Sequence, residues 1–169
     1  MAENQNMQDK VNNWLLDEGL TVSKKDDNTA DFHLVVSNAY GLGFFIDIVK
    51  PKNKLFLVIA MGIPIPPEIK QPYVSLDQKE KTRFIGGLQR ELLKFGVEHR
   101  IQPDKLQPDG IVITDSVYDE DMTRTLFMTS VRKVKYASLF VVWSLSQKFL
   151  PEADSSPSNT PSPSNVPYR

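Results

Sequence analysis

"FHLVVSNAYGLGFFIDIVKPKNKLFLVIAM" occupies residues 32–61. Apolar runs at 32–37, 44–50 and 55–61 are separated only by "NAYGLG" and "PKNK". Runs this short, rich in Val, Ile and Phe and bounded by turn residues, read as strands. Links this short favour antiparallel neighbours, because parallel strands need a crossover of about a dozen residues or more. Upstream, 20–25 adds a short strand that leads into "DDNTAD", a dense turn signal. The four runs therefore predict an antiparallel meander.

Helices are expected on both sides of it in sequence. Met7, Val11, Trp14 and Leu15 recur at helical steps, which predicts a helix over about 4–18 closed by Gly19. Beyond the meander, "GIPIPPEIKQP" (62–72) carries four prolines. Proline fixes φ and donates no amide hydrogen bond, so this stretch is expected to end the sheet ladder and run mostly extended. Ile63, Ile65 and Ile69 would pin it to the core edge. It reads as a connector, with a partner's docking edge as the second reading.

Ser75 and Gln78 form a capping-box pattern, S-L-D-Q, predicting a helix over about 75–96. Its apolar face is Phe84 or Ile85, Leu88, Leu92 and Phe95. Gly86 and Gly87 interrupt it at about 1 kcal/mol each against alanine. Close approach to the sheet would be their reason. Two strands follow, 97–102 and 110–117, joined by "PDKLQPDG". Phe127, Val131, Val134, Val141, Leu145 and Phe149 then fit one long helix over about 121–149. Asp119, Glu120 and Asp121 would sit at its positive end. Residues 122–134 also admit a strand, since "TRTLFMTSV" is rich in Thr and Val. Three consecutive apolar residues, 126–128, break the strand alternation and favour helix.

The fold class is thus α+β. An antiparallel sheet of about five or six strands is flanked by helices, in the order helix, strands, helix, two strands, long C-terminal helix. One domain is expected over 1–150. Residues 151–169 hold five of the twelve prolines and no glycine, and read as a disordered Pro/Ser-rich tail.

Composition narrows the chemistry. The chain has 169 residues, 40% hydrophobic and 24% charged, with no cysteine. Disulfides, thiolate metal sites and cysteine nucleophiles are therefore excluded. A net charge of −1 and a pI near 6.1 give no basic field for nucleic acid or anionic lipid. No apolar run approaches the roughly 20 residues of a membrane span, and no signal-peptide pattern opens the chain. A cytoplasmic protein is expected.

Few residues suggest catalysis. His33 and His99 are the only histidines, too few to anchor a zinc site without cysteine. The acids 119–121 suit a helix cap as well as a cation. Asp47 interrupts "FFIDIV" and is expected at an edge or bonded to a neighbour. No nucleophile elbow or phosphate loop is present. Gly41 and Gly43 open a strand, not a helix. A pocket between sheet and helices, watched by Asp47, His33 and Asp115, is the alternative that would make the protein an enzyme or small-ligand binder. Arg124, Arg132, Lys133 and Lys135 read as a solvated helix face, since the aromatic residues sit within apolar runs and read as core. Nucleic acid is disfavoured, and no cofactor or metal is expected.

The last helix carries more apolar surface than one face can bury. In "YASLFVVWSL" (136–145), apolar side chains cover most of its circumference. Tyr136, Leu139, Phe140 and Trp143 form the candidate interaction surface. A protein partner or a second copy would cover it.

Three stretches carry a resemblance: "WLLDEG" (14–19), "GIVITDSVYDEDMTR" (110–124) and "VRKVKYASLFVVW" (131–143). With the order of elements, they resemble a small archaeal protein family of unknown function with a type III secretion chaperone-like fold. That fold is shared by secretion chaperones and a bacterial sensory-transduction regulator family. The resemblance spans about 4–150 and implies homodimers that bind partner peptides along an exposed surface. It implies no catalytic residues. The expected role is a non-enzymatic protein-interaction module.

Overall fold

The computed structural model describes residues 2–37, 43, 45–105 and 107–150. The turn expected at "NAYGLG", apart from Gly43, and the expected tail at 151–169 lie outside the described residues. Helix α1 spans Ala2–Asp17. The strands are β1 (Thr21–Lys24), β2 (Ala30–Ser37), β3 (Ile46–Pro51), β4 (Phe56–Pro64), β5 (Glu98–Gln102) and β6 (Gly110–Tyr118). Between β4 and β5 lie α2 (Pro67–Ser75) and α3 (Gln78–Lys94), and α4 (Arg124–Phe149) follows β6. The fold is α+β, as the meander predicts.

The sheet has six strands in the order β1-β2-β3-β4-β6-β5, and all neighbours are antiparallel. Alternation sorts its two faces. Leu34, Ile48 and Ile59 lie side by side across β2, β3 and β4 and are buried. Met61 and Ile113 continue that face on β4 and β6. It meets the buried stripe of α4: Phe127, Val131, Val134, Ala137, Val141 and Leu145. Val11 and Leu15 of α1 join the same core, and Trp14 lies 5.9 Å from Phe127. Ile69 and Tyr73 of α2, and Ile85, Leu88 and Leu92 of α3, complete it. Gly19 and Gly96, at φ 75° and 64°, end α1 and α3 in the left-handed region that lacks steric cost only for glycine.

The helices pack on that one face. The other face carries Val35, Val49, Val58, Ala60 and Val112, each half-buried. Burial, more than polarity, alternates between the two faces, as in an antiparallel sheet covered on one side.

Four expectations are corrected. The bridge does not run extended throughout. β4 continues through Gly62 to Pro64, which stands opposite Gly110 at the ladder's end, where a proline is tolerated. Residues 67–75 then form α2, with Pro67 in its first turn, where its missing amide costs nothing. Ile69 and Tyr73, four apart, bury together and hold the helix down.

The capping box is not Ser75 with Gln78. Ser75 is the last residue of α2 and donates its hydroxyl to the Gln71 carbonyl at 3.0 Å. The cap is Asp77, which accepts from the Glu80 amide at 2.7 Å, while Glu80 accepts from the Asp77 amide at 3.3 Å.

Gly86 and Gly87 do not bring α3 close to the sheet. A Cβ added at either would meet nothing within 4 Å.

The acids 119–121 form a separate 3₁₀ turn and not the first turn of α4. Thr123 caps α4 instead, accepting from the Leu126 amide at 3.2 Å. The whole of 124–134 is helical.

Candidate interaction surface

Tyr136, Leu139, Phe140 and Trp143 fall at i, i+3, i+4 and i+7, so the 3.6-residue turn of α4 places them along one side. That side lies away from the buried stripe. Trp143 is 56% exposed and Tyr136 52%, whereas Leu139 and Phe140 are half-buried. Phe140 packs inward against Phe95 at the end of α3, ring to ring at 5.8 Å, and outward against Trp143 at 6.3 Å. The Lys135 ammonium stands 5.0 Å from the Tyr136 ring centre, a cation–π distance. Two of the four residues thus serve the fold in part, and two remain open.

Arg124, Arg132 and Lys133 of α4 are engaged with carboxylates of the chain. Arg124 meets Asp17 at 3.0 Å and Glu18 at 3.5 Å, and Arg132 meets Glu18 at 3.8 Å. Lys133 stands 3.7 Å from Asp115. These pairs tie α4 to the end of α1 and to β6. A nucleic-acid site needs its cations directed outward to phosphates, and this set is neutralised locally.

His33, Asp47 and Asp115 do not converge. His33 and Asp47 lie on the uncovered face of the sheet, where His33 Nε2 and Asp47 Oδ1 are 2.7 Å apart. Asp115 alternates with Ile113 and Val117 and faces α4. Sequence reasoning missed the third member at His33: Asp27 Oδ2, 3.1 Å from Nδ1. With a carboxylate at each ring nitrogen, the 7%-exposed imidazole is oriented from both sides. Asp27 is fixed in turn by Thr29, whose hydroxyl and amide donate to it at 2.6 and 2.8 Å. Those bonds, with a smaller share from His33, hold its carboxyl down at about 2. The arrangement locks the β1–β2 turn onto the sheet.

Other polar groups also serve the fold. Lys50 lies on the core face, donating to the Lys54 carbonyl and to Asp119. The Tyr73 hydroxyl donates to the Lys105 carbonyl; burial, and then Asp104, raise its pKa. His99 lies within hydrogen-bond range of the Gln89 side chain, and burial, then Lys105, lower its pKa. Among the described residues, no three His, Asp or Glu side chains are placed to hold a metal ion. Among the same residues, no helix is long and apolar enough to cross a membrane.

Two solved structures are similar to this fold. The chain is 27% identical to an uncharacterized protein from Methanothermobacter thermautotrophicus, a methanogenic archaeon, known from its crystal structure. The match covers 84% of this chain and 98% of that one, with a TM-score of 0.77. YbjN from E. coli, a candidate transcription regulator, is 15% identical, with a TM-score of 0.50. It covers 83% of this chain and 92% of its own, and at that identity it speaks to fold alone. No curated protein matches significantly. A family model described as "Uncharacterized conserved protein (DUF2299)" matches residues 7–145, and the chain belongs to that family.

Proposed function

We propose that the protein is a non-enzymatic protein-interaction module, chaperone-like and homodimeric, that docks a partner on the outer side of α4. One observation carries this reading: Trp143 and Tyr136 stand more than half exposed beside the Phe95–Phe140 ring pair. Exposed tryptophan and tyrosine next to packed rings supply large contact area at low entropic cost, the usual make-up of a binding hot spot. The paired basic residues favour a protein partner over nucleic acid. His33 and Asp47 lie on the opposite face of the sheet from Asp115, so these three residues do not line one pocket between sheet and helices.

The test compares the native chain with Trp143→Glu as bait in extracts of its own source, with bound proteins identified by mass spectrometry. A partner held by the native chain and lost with Trp143→Glu, at unchanged circular dichroism, supports the reading. The same proteins retained in equal amount by both chains would overturn it.

A further inference from the structure

A cleft of about 180 Å³ lies between α3 and the loop that joins β5 to β6. Gln78, Lys81, Ile85, Gly86 and Gln89 line it along one side of the helix, and Lys105 closes it from the loop. Two observations set this cleft apart. First, among the described residues, no carboxylate stands in its wall beside the two lysines. Four other clefts each hold an acid with their cations, as Lys70 with Asp109 and Lys10 with Asp119. Asp104, next to Lys105 in sequence, accepts from the Gln107 amide at 3.0 Å and is not part of the wall. Second, Gly86 sits inside a helix, where glycine is unfavourable. No neighbour stands within 4 Å of the place its Cβ would take. The room left by the missing side chain belongs to the cleft.

We infer that this cleft binds a small, elongated organic dianion, with one oxyanion group at Lys105, the other at Lys81, and the body over Ile85 and Gly86. The order of residues along α3 gives the shape. The Lys105 ammonium donates to the Gln89 side-chain oxygen at 3.2 Å. Lys81 lies two turns earlier than Gln89, about 12 Å along the helix. The cations therefore belong to separate ends of the α3 wall and do not surround one point. Buried Ile85 and bare Gly86 fall between them. An ammonium has three donors, and each lysine directs one within the chain: Lys81 to the Val74 carbonyl at 2.7 Å, Lys105 to Gln89. Gln89 is oriented from behind. Its amide nitrogen lies 3.2 Å from His99 Nε2, and burial, then Lys105, lower the His99 pKa, so the neutral ring accepts that bond. The Gln89 oxygen is thereby left to hold Lys105 at its end of the cleft. A lysine is a compact point charge that meets carboxylate and phosphate alike. The inference is independent of the α4 surface.

The experiment is isothermal titration calorimetry of the full chain, at fixed ionic strength, with suberate, a linear dicarboxylate, and with fructose bisphosphate. One or both should bind saturably, and which of them binds tells carboxylate ends from phosphate ends. Octanoate carries a single charge on a chain of the same length, and inorganic phosphate concentrates its charge at one point. Each should bind about 10-fold more weakly than the dianion, having lost one charged contact. Variants, checked for folding by circular dichroism, locate the site. Gly86→Leu fills the cleft and should weaken binding about 10-fold or more. Gly87→Leu, one position round the helix and outside the cleft, should leave it unchanged. Lys105→Gln, in an exposed loop, should weaken it about 10-fold and tests the site even if the Gly86 variant misfolds. Absence of saturable binding with both dianions would overturn the inference. Binding retained in both Gly86→Leu and Lys105→Gln would place the dianion elsewhere and overturn it too, as would octanoate or inorganic phosphate binding as tightly as the dianion. Trp143→Glu should bind the dianion as the native chain does, so this result and the partner capture at α4 succeed or fail separately.

Discussion

Lys50 stands on the core face of β3 at 2% exposure, with its ammonium bonded to Asp119 and the Lys54 carbonyl. Burying an ammonium is costly unless the charge is met, so the value of Asp119 lies mainly in what its loss would leave behind. Asp119→Ala should cost about 2–4 kcal/mol in urea unfolding, reduced from the fully buried case because the carboxylate is partly exposed. Lys50→Met should cost far less, and a similar loss in both variants would contradict this account. Lys50 draws no notice in the sequence, where it is one lysine of a turn-flanking run, and Asp119 reads only as one of three acids at a helix start. Only the β3–β4 register and the 3₁₀ turn after β6 bring it to Asp119. The pairing of His33 with Asp47 was equally hidden. Each residue could be singled out by type, but their contact is diagonal across β2 and β3, with His33 opposite Val49 and Asp47 opposite Val35. Asp27 joins them through a tight turn that no periodicity reveals.

At the scale of elements, hydrophobic period was a sound guide wherever one face is buried. The six strands and α4 follow from it, and the ambiguous stretch is helical from Arg124 through 134, where Phe127, Val131 and Val134 all meet the sheet. The failures lie where proline and glycine were read by type alone. In α2, the four-residue spacing of Ile69 and Tyr73 was a helical signal outweighed by the count of prolines. Two adjacent capping patterns, from Ser75 and from Asp77, could not both operate, and α2 takes Ser75. In α3, Gly86 and Gly87 have no packing role that a methyl would disturb. Each replaced by alanine should therefore stabilise the protein, by about 0.5–1 kcal/mol, as helix propensity dictates. Thermal unfolding would show a raised midpoint, and a fall for either variant would mean that the bare backbone is needed for contact.

Across the whole molecule, β4 and β6 form the longest ladder, nine facing pairs from Phe56–Tyr118 to Pro64–Gly110, and α4 lies over that seam. β1 and β5 lie at the edges. Amide hydrogen exchange should follow this order. The slowest amides are expected in β3, β4 and β6, whose opening requires global unfolding, and the fastest strand amides in β1 and β5. Slow exchange in β5 with fast exchange in β4 would contradict the topology. The antiparallel class was legible from link lengths, but the insertion of β6 between β4 and β5 was not, because no local pattern states which strand a returning hairpin will join.

That insertion bears on how the chain emerges during synthesis. β4 ends at Pro64, and the strand that pairs its free side ends at Tyr118, 54 residues later. At about 5–20 residues per second, translation leaves that side without its partner for roughly 3–11 s. For that interval the nascent chain presents "FLVIAMGIP" as an unpaired apolar edge, the kind of template on which neighbouring chains aggregate. The charged segment that forms α3 is made within the same interval, so a strongly hydrated stretch of the same chain emerges before that edge is paired.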